Sequence, residues 1–413
     1  MGTRSSRSNA LHNADLRAVA ALCLAAVAVF ADMYITQPLL PVFSREYGVS
    51  PAVAGATISA VVLTIALVSS AYGPLGAVLG QKRVMVWGCA LLALSTFACA
   101  FAPSFHALLA LRAVQGLLVP AVSAVAIAYI GELRGGYDTG SLVGAYIGAS
   151  VTGGLAGRVG AGLVFDATSS WRAAFIAFGA LTLLAAIAMA VALRSRPVRR
   201  EGPMPAAFAG AYRAMWHHFG DARLVGAFIV GATLFFGFIG IFTYLPFLLT
   251  QAPFRLSTGT VAWFYLSYLA GVVTAPIAGR LSARVSRRTL MAAGFAIALA
   301  GIALTLISSL GAVLAGAVVL CVGMFTAQAV APAFVTVTAT NAKGGAMALY
   351  QTFYYIGAVF GSVLPGFAWE SWGWPGVVAS CGASLTLGLA AAWFFCTDAP
   401  QIAHRTGVPK TSF

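Results

Sequence analysis

The chain has 413 residues, of which 60% are hydrophobic and only 8% are charged, and its formal net charge is +14. A soluble globular domain carries about 25% charged residues, so this composition excludes a water-soluble fold. The basic residues lie in short segments between apolar runs and form no continuous face for phosphate groups, so we expect no nucleic-acid partner.

Apolar runs long enough to span a bilayer recur along the whole chain. A spanning helix needs about 20 apolar residues, because each backbone polar group must be satisfied within its own segment. The sequence therefore predicts an all-α membrane protein with twelve transmembrane helices. The first run follows several arginines but is too long for a signal-peptide core, so we expect an uncleaved helix. The runs lie near residues 18–40, 53–76, 84–102, 107–130, 140–165, 172–193, 223–250, 258–281, 289–308, 311–339, 346–369 and 375–396.

An even number of spans places both termini on one side of the membrane. Most lysines and arginines lie in the N-terminus, the loops after even-numbered runs and the C-terminal tail, which predicts cytoplasmic termini in the cell inner membrane. The long connection contains the segment AFAGAYRAMWHHF, which suits either a surface-lying amphipathic helix or a solvated linker. The predicted units are a cytoplasmic N-terminus (1–16), a six-helix bundle (17–193), a cytoplasmic linker (194–222), a second six-helix bundle (223–397) and a cytoplasmic tail (398–413).

The two halves repeat each other. The segment GPLGAVLGQKRVMVWG, which begins at Gly73, aligns with GRLSARVSRRTLMAAG, which begins at Gly279, at a shift of 206 residues. A shift of 204 aligns Gly153 in the fifth run with Gly357 in the eleventh. Because a repeat of six helices keeps the same topology, the two bundles are predicted to be related by a pseudo-twofold axis along the membrane normal.

Three segments resemble those of a known family: ADMYITQPLLP (31–41), GPLGAVLGQKR (73–83) and LRAVQG (111–116). On these segments the chain resembles the major facilitator superfamily over essentially its whole length, and most of all its drug:proton antiporter branch, the bicyclomycin- and chloramphenicol-resistance type. The resemblance implies alternating-access export of small amphipathic organic compounds in exchange for protons. It also implies gating roles for residues of the two neighbouring loops, namely Gly73, Lys82, Arg83 and Glu132.

Two positions depart from that family pattern. Ala77 stands at the acidic position of the loop signature, whose carboxylate helps to hold the outward-facing state in the family, and Glu132 or Asp138 in the next loop is a candidate substitute. Ala149 stands where the antiporter signature of the fifth run has a proline. The alternative function is therefore proton-coupled uptake or export of an organic anion or sugar derivative.

Three charged residues lie well inside the apolar runs, namely Asp32, Arg112 and Arg158. A charge at the bilayer centre costs roughly 2.5–3.5 kcal/mol on insertion scales, so each needs a role. Helical rise places all three roughly 8–14 Å below the outer surface, where we expect one cluster. Asp32 is predicted to carry the proton, because an arginine that moves between conformations changes its proton affinity. Arg112 is predicted to take part in coupling and Gln115 to bridge the pair, with a static salt bridge as the alternative.

The runs of the second half carry many aromatic side chains and no charge well inside them. Tyr350, Phe353 and Tyr354 follow i, i+3, i+4 spacing and are predicted to share one face, which suits stacking of planar compounds or, alternatively, packing of helices. Gly153 and Gly157 suit close helix crossing and, in a gating role, sliding of the halves. The predicted substrate-binding residues are Tyr34, Gln37, Gln115, Arg158, Phe235, Tyr265, Gln328, Tyr350, Phe353 and Tyr354.

Nothing in the sequence indicates catalysis or a bound metal. The six cysteines lie in apolar runs without a CxxC pair, the histidines are scattered, and no GxxxxGK[ST] motif occurs. We therefore expect no enzymatic activity, no cofactor and no metal. The expected partners are a small-molecule substrate, protons and the lipid bilayer, and the protein is expected to be a monomer.

Overall fold

The computed structural model describes residues 2–133, 139–195, 217–340 and 343–397, and every regular element in these ranges is helical. Eleven helical segments within them are long and apolar enough to cross a membrane. The last segment, Lys343–Phe394, is two helices that meet at Gly373, where φ is 62° and ψ is −146°. Only glycine adopts this conformation readily, so Gly373 makes the turn between them. The prediction of twelve spanning helices is thus confirmed within the described residues.

We number the spanning helices α1 to α12 in chain order. Three are assembled from consecutive pieces: α1 is followed by a 3-10 turn and a short helix, α4 has three pieces, and α8 contains a 3-10 turn. The bounds are α1 Gly2–Tyr34 (then Gln37–Leu39 and Leu40–Tyr47), α2 Pro51–Leu79, α3 Gln81–Ala100, α4 Phe105–Leu118 (then Pro120–Ser123 and Val125–Gly131), α5 Thr139–Thr168, α6 Trp171–Ala192, α7 Ala222–Thr250, α8 Thr258–Trp263 (then Phe264–Ser267 and Tyr268–Leu281), α9 Arg287–Leu304, α10 Leu310–Thr338, α11 343–372 and α12 374–394.

The break after α1 changes the predicted end of the first helix. The sequence predicted one helix ending at Pro41, whereas α1 stops at Tyr34 and a further helix continues to Tyr47. Prolines at 38 and 41 lack an N–H group and therefore occupy the starts of the two short pieces that follow the break. Asp32 consequently lies two residues before the break, and the helix that ends at Tyr47 is a separate piece. The depth of Asp32 below the membrane surface stays a prediction.

The same helix pairings recur at the same register in both halves. A Cβ atom on either glycine of the Gly-x-x-x-Gly pair of α5 would overlap the backbone of α1, and the matching pair of α11 would overlap α7 in the same way. The α3–α4 contact likewise recurs between α9 and α10. The equivalent contacts are Gly153 with Val27 and Gly357 with Ala232, Gly157 with Ala31 and Gly361 with Phe236, and Gly88 with Ala121 and Gly294 with Ala327. These pairings establish two six-helix bundles related by a pseudo-twofold axis.

The two bundles contact each other at the end that holds the α1–α2 and α7–α8 connections. Ser59 of α2 donates to the Val359 carbonyl of α11 at 2.8 Å and lies 2.5 Å from the Ser362 hydroxyl. On the other side of the bundle pair, Ser257 ahead of α8 donates to Asp166 of α5 at 2.5 Å. We call this the closed end.

Towards the opposite end, which holds the start of α1, one side of α5 is exposed. Gly144, Ala145, Ile147 and Gly148 are exposed, and a Cβ atom on either glycine would meet nothing within 4 Å. At about 100° per residue these positions lie within about 160° of one another, and Tyr146 on the other side is buried. This part of α5 therefore packs on one side only. The connection predicted to contain an amphipathic helix, Asp138 and the C-terminal tail all lie outside the described residues.

Candidate functional site

Asp32 lies near the end of α1 and is 1% exposed. Its Oδ2 atom accepts hydrogen bonds from two threonine hydroxyls, Thr96 of α3 at 3.0 Å and Thr182 of α6 at 2.8 Å. Its Oδ1 atom is buried and has no hydrogen-bond partner. Three helices of the first bundle thus hold this carboxyl group through neutral donors.

Arg112 of α4 is fully buried and approaches the backbone of Asp32 rather than its carboxylate. Its Nη1 atom donates to the Asp32 carbonyl at 2.7 Å, and its Nη2 atom donates to the Met33 carbonyl at 2.7 Å. Its Nε atom donates to the Thr57 carbonyl of α2 at 3.2 Å. The last carbonyls of a helix have no partner within the helix, and a cation is favourable there, so Arg112 caps the broken end of α1. Among the described residues, Asp32 forms no ion pair.

Gln115 lies one turn after Arg112 and links it to the carboxyl group. Its Oε1 atom accepts from Arg112 Nη1 at 2.7 Å, and its Nε2 atom donates to the Thr96 hydroxyl at 2.7 Å. Thr96 in turn donates to Asp32. A continuous hydrogen-bonded chain therefore runs from the guanidinium to the carboxylate through two neutral side chains.

Arg158 of α5 belongs to a second group, so the expectation of one charge cluster was wrong. Its Nε atom donates to Gln37 Oε1 at 2.6 Å and its Nη1 atom to the Gly154 carbonyl at 2.7 Å. Its guanidinium carbon lies 3.6 Å from the ring centre of Tyr34 and 4.6 Å from that of Tyr268 in α8. The reason for the separation is the break after α1, which turns Gln37 towards the second bundle.

Gln37 joins the two bundles at this second group. Its Nε2 atom donates to the Thr243 hydroxyl of α7 at 3.3 Å, while its Oε1 atom holds Arg158. Tyr265 of α8 lies 5.6 Å from the same guanidinium, and its own hydroxyl donates to the Phe242 carbonyl at 3.0 Å. Tyr34, Gln37, Arg158, Tyr265 and Tyr268 are referred to below as the arginine group.

Several polar atoms of the second bundle are buried without a hydrogen-bond partner. They are the hydroxyls of Tyr268 and Tyr350 and the Oε1 atom of Gln328 in α10. Burying a hydroxyl or amide without a partner costs about 1–3 kcal/mol in proteins, so such atoms are uncommon and require an explanation. A bound molecule with complementary polar groups would satisfy them.

Three aromatic residues of α11 face α7. Phe235 of α7 stacks on Tyr354 of α11 with ring centres 3.9 Å apart, and Phe353 stacks on Phe228 of α7 at 5.6 Å. Tyr350 lies against Gly231 of the same helix. Tyr350, Phe353 and Tyr354 therefore share the face that packs on α7, and their role in binding a planar compound stays a prediction.

The predicted gating residues make local contacts within the first bundle. Lys82 Nζ donates to the Leu193 carbonyl at 2.6 Å, and Glu132 Oε1 accepts from Gln81 at 2.9 Å. Arg83 is exposed, and Gly73 lies in the last part of α2. These contacts leave the gating roles untested.

Gly153 and Gly157 pack α5 onto α1 of the same bundle. The contact lies within one bundle and not between the two, and the gating role predicted for the two glycines stays a prediction. Their shared function is close packing, because the missing side chains let the two backbones touch.

Sequence reasoning missed the donors that hold Asp32 and the free hydroxyl beside Arg158. Thr96, Thr182 and Thr57 are three of many threonines in apolar runs, and no spacing rule connects residues on α1, α2, α3 and α6. Tyr268 is one of the many aromatic residues in the apolar runs of the second half and was not among the predicted binding residues. In the described part of the chain, no group of three His, Cys, Asp or Glu residues is placed to hold a metal ion.

Comparisons with known proteins agree with this architecture. The family model described as Major Facilitator Superfamily matches residues 22–342 and 252–412. The inner membrane transport protein YnfM of Escherichia coli (strain K12) is 32% identical over 375 residues, which cover 91% of this chain and 89% of YnfM. The uncharacterised MFS-type transporter YybF of Bacillus subtilis (strain 168) is 30% identical over 352 residues, which cover 84% of this chain and 86% of YybF.

Solved structures share the fold at low sequence identity. The nucleoside transporter NupG superposes with a TM-score of 0.79 at 14% identity and covers 92% of this chain and 100% of its own. The D-xylose–proton symporter superposes with a TM-score of 0.71 at 16% identity and covers 92% of this chain and 98% of its own. At these identities the likeness establishes the fold and no more.

Proposed function

The chain belongs to the major facilitator superfamily of membrane transporters, and on that premise we propose that it exports small amphipathic organic compounds in exchange for protons by alternating access. The proposed location is the cell inner membrane, with both termini in the cytoplasm. The likeness of residues 31–41 and 111–116 to the drug:proton antiporter branch supports this choice over uptake of a sugar derivative.

One observation carries the proposal, namely the buried Asp32 carboxyl group. It is held by two hydroxyls, has an unpartnered Oδ1 atom and forms no ion pair with any described residue. A buried carboxylate without a cation is costly, and a single proton on Oδ1 removes that charge. The hydroxyls of Thr96 and Thr182 can bond to the carboxyl group of Asp32 whether it is ionised or protonated, because a hydroxyl serves as donor or acceptor. Asp32 is therefore suited to bind and release a proton.

The position of Asp32 also connects proton binding to movement of the bundles. Asp32 lies two residues before Tyr34 on α1, and Tyr34 lies under the guanidinium of Arg158. Opening the closed end requires the Gln37–Thr243 and Ser59–Ser362 contacts to break. A change at Asp32 is thus transmitted through the end of α1 to the arginine group, which contacts both bundles.

The proposal is tested in proteoliposomes with an imposed pH gradient. Three matched probes are used, namely 2-naphthoate, 2-naphthamide and 2-naphthylmethylammonium, which share one aromatic body and differ in charge. Wild-type protein is expected to accumulate at least one probe against its gradient when protons flow the other way. Asp32→Asn is expected to keep probe exchange without a pH gradient and to lose gradient-driven accumulation.

Glu370→Gln is the matched control, because Glu370 is an exposed acid at the end of α11. It should behave as the wild type. If Asp32→Asn still couples flux to the pH gradient, the role of Asp32 is wrong. If no naphthyl probe moves while a sugar does, export of amphipathic compounds is wrong.

A further inference from the structure

We propose that the transported compound is an organic anion whose carboxylate binds Arg158, with its planar body against the aromatic side chains at the bundle interface. The inference rests on the proposed transport function and names the substrate class of that site. It stands on the charge balance of Arg158, on the unpartnered Tyr268 hydroxyl beside it and on the position of Tyr34.

Arg158 is a buried cation with neutral partners. It is 2% exposed, and its hydrogen-bond acceptors are the amide oxygen of Gln37 and the carbonyl of Gly154. Among the described residues, no acidic group forms an ion pair with it. A guanidinium has five N–H donors in a planar fork that matches a carboxylate, so the two neutral acceptors leave donors for an anion.

Asp32 does not supply the missing negative charge. Its carboxylate faces Thr96 and Thr182 inside the first bundle, whereas Arg158 faces the second bundle. The two groups therefore bind a proton and an anion at separate places. Exchange of a monoanion for a proton moves net charge across the membrane in every cycle, so the transport is electrogenic.

The Tyr268 hydroxyl is available as a further donor to an anion. The ring of Tyr268 lies 4.6 Å from the Arg158 guanidinium, the residue is 5% exposed, and its hydroxyl has no partner. Tyr265 differs, because its hydroxyl already donates to a backbone carbonyl. A free hydroxyl is thus not a general property of the aromatic side chains beside Arg158.

The aromatic rings provide the surface for the body of the compound. Phe235 and Tyr354 stack on each other at 3.9 Å, and Tyr34, which is half-buried, covers the guanidinium. Planar compounds stack on such rings.

The test measures binding to the purified full-length protein in detergent by isothermal titration calorimetry. The probes are again 2-naphthoate, the neutral 2-naphthamide and the cationic 2-naphthylmethylammonium. We expect 2-naphthoate to bind at least about tenfold more tightly than the other two, because hydrogen bonds to charged groups dominate the difference. Arg158→Gln keeps a polar side chain beside Gln37 and is expected to weaken 2-naphthoate binding about 10- to 100-fold while changing 2-naphthamide binding little.

Two further variants keep the inference testable if Arg158→Gln fails to fold. Tyr268→Phe removes only a hydroxyl and is expected to weaken 2-naphthoate binding about 3- to 10-fold. Arg172→Gln removes an exposed arginine that pairs with Glu46 at 3.0 Å, away from the arginine group, and should leave binding unchanged.

The outcomes separate this inference from the transport proposal. Equal binding of all three probes to the wild type overturns the anion site. An unchanged preference for 2-naphthoate in both Tyr268→Phe and Arg158→Gln also overturns it. Neither result contradicts proton-coupled export. Selective 2-naphthoate binding that disappears in Arg158→Gln supports the anion site even if flux in proteoliposomes ignores the pH gradient. If 2-naphthoate binds selectively but its flux does not respond to the pH gradient, the transport proposal alone is wrong.

Discussion

Arg112 and Asp32 are neighbours that do not form an ion pair. The guanidinium donates at 2.7 Å to the backbone carbonyl of Asp32, while the carboxylate accepts from Thr96 and Thr182. The arginine therefore stabilises the end of α1, and only the Gln115–Thr96 chain connects its charge to the carboxyl group. A static salt bridge, which was the alternative expected from sequence, is absent from these two residues.

This arrangement predicts that Arg112 is required for stability. Arg112→Lys keeps the positive charge but has one nitrogen to replace three that reach carbonyls on α1 and α2. Loss of even one hydrogen bond from a charged group costs about 1.5–3 kcal/mol, so we expect a clear fall in the unfolding temperature in detergent. Arg83→Lys, at an exposed position, is the control. An Arg112→Lys protein as stable as the wild type would contradict the capping role and favour a purely mechanistic one.

The glycine contact between α5 and α1 predicts a second, position-specific effect. A Cβ atom at Gly153 would overlap the backbone of Val27, which cannot rotate away. We expect Gly153→Ala to lower the unfolding free energy by about 1–3 kcal/mol, as overpacking does in other proteins. Gly148→Ala is a control on the same helix, because a Cβ atom there meets nothing within 4 Å. Thermal unfolding of both variants in the same detergent decides the matter, and equal stability of the two would contradict the contact.

The sequence was sufficient for the helices and insufficient for the site. Each apolar run reports on a single helix, so the twelve spans were predictable. The repeated glycines report on close helix contacts, so the match of Gly153 to Gly357 was predictable as well. The break after Tyr34 was not, because Pro38 and Pro41 are compatible with a kink, a start or an end. That break separates Arg158 from Asp32 and gives Arg112 its carbonyl partners. The hydrogen bonds of Thr96 and Thr182 depend on the packing of three helices, which no local pattern encodes.

The start of α7 predicts a stability change at acidic pH. Asp221 is the N-cap residue, and its Oδ1 atom accepts from the Arg223 backbone N–H at 2.9 Å. Hydrogen bonds from the Arg223 side chain lower the pKa of Asp221 below its ordinary value. A carboxyl group with a lowered pKa stabilises the fold above its ordinary pKa of about 3.9 and loses that contribution as pH falls through the lowered value.

Asp221→Ala is therefore expected to be less stable than the wild type by about 0.5–2 kcal/mol at pH 7. The difference should shrink as the pH falls below about 4, because the unfolded chain then takes up a proton on Asp221 before the folded protein does. Unfolding temperatures of both proteins across this range provide the measurement. A difference that stays constant down to pH 3 would show that the ionised carboxylate contributes nothing to the cap.

The closed end predicts that a cross-link between α2 and α11 arrests transport. The hydroxyls of Ser59 and Ser362 are 2.5 Å apart and belong to different bundles, so cysteines at both positions are close enough to be joined by oxidation. Alternating access requires this contact to open, and a covalent bond prevents it. We expect the oxidised Ser59→Cys/Ser362→Cys protein to lose probe exchange in proteoliposomes and to regain it after reduction.

Each single cysteine variant, treated identically, should keep its exchange rate, since the natural cysteines in the described residues are free and lie elsewhere in the helices. Undiminished exchange by a fully cross-linked protein would mean that the bundles move without separating at Ser59 and Ser362. The substrate would then have to leave by another path, between α5 and α8, where the Asp166–Ser257 contact would have to open instead.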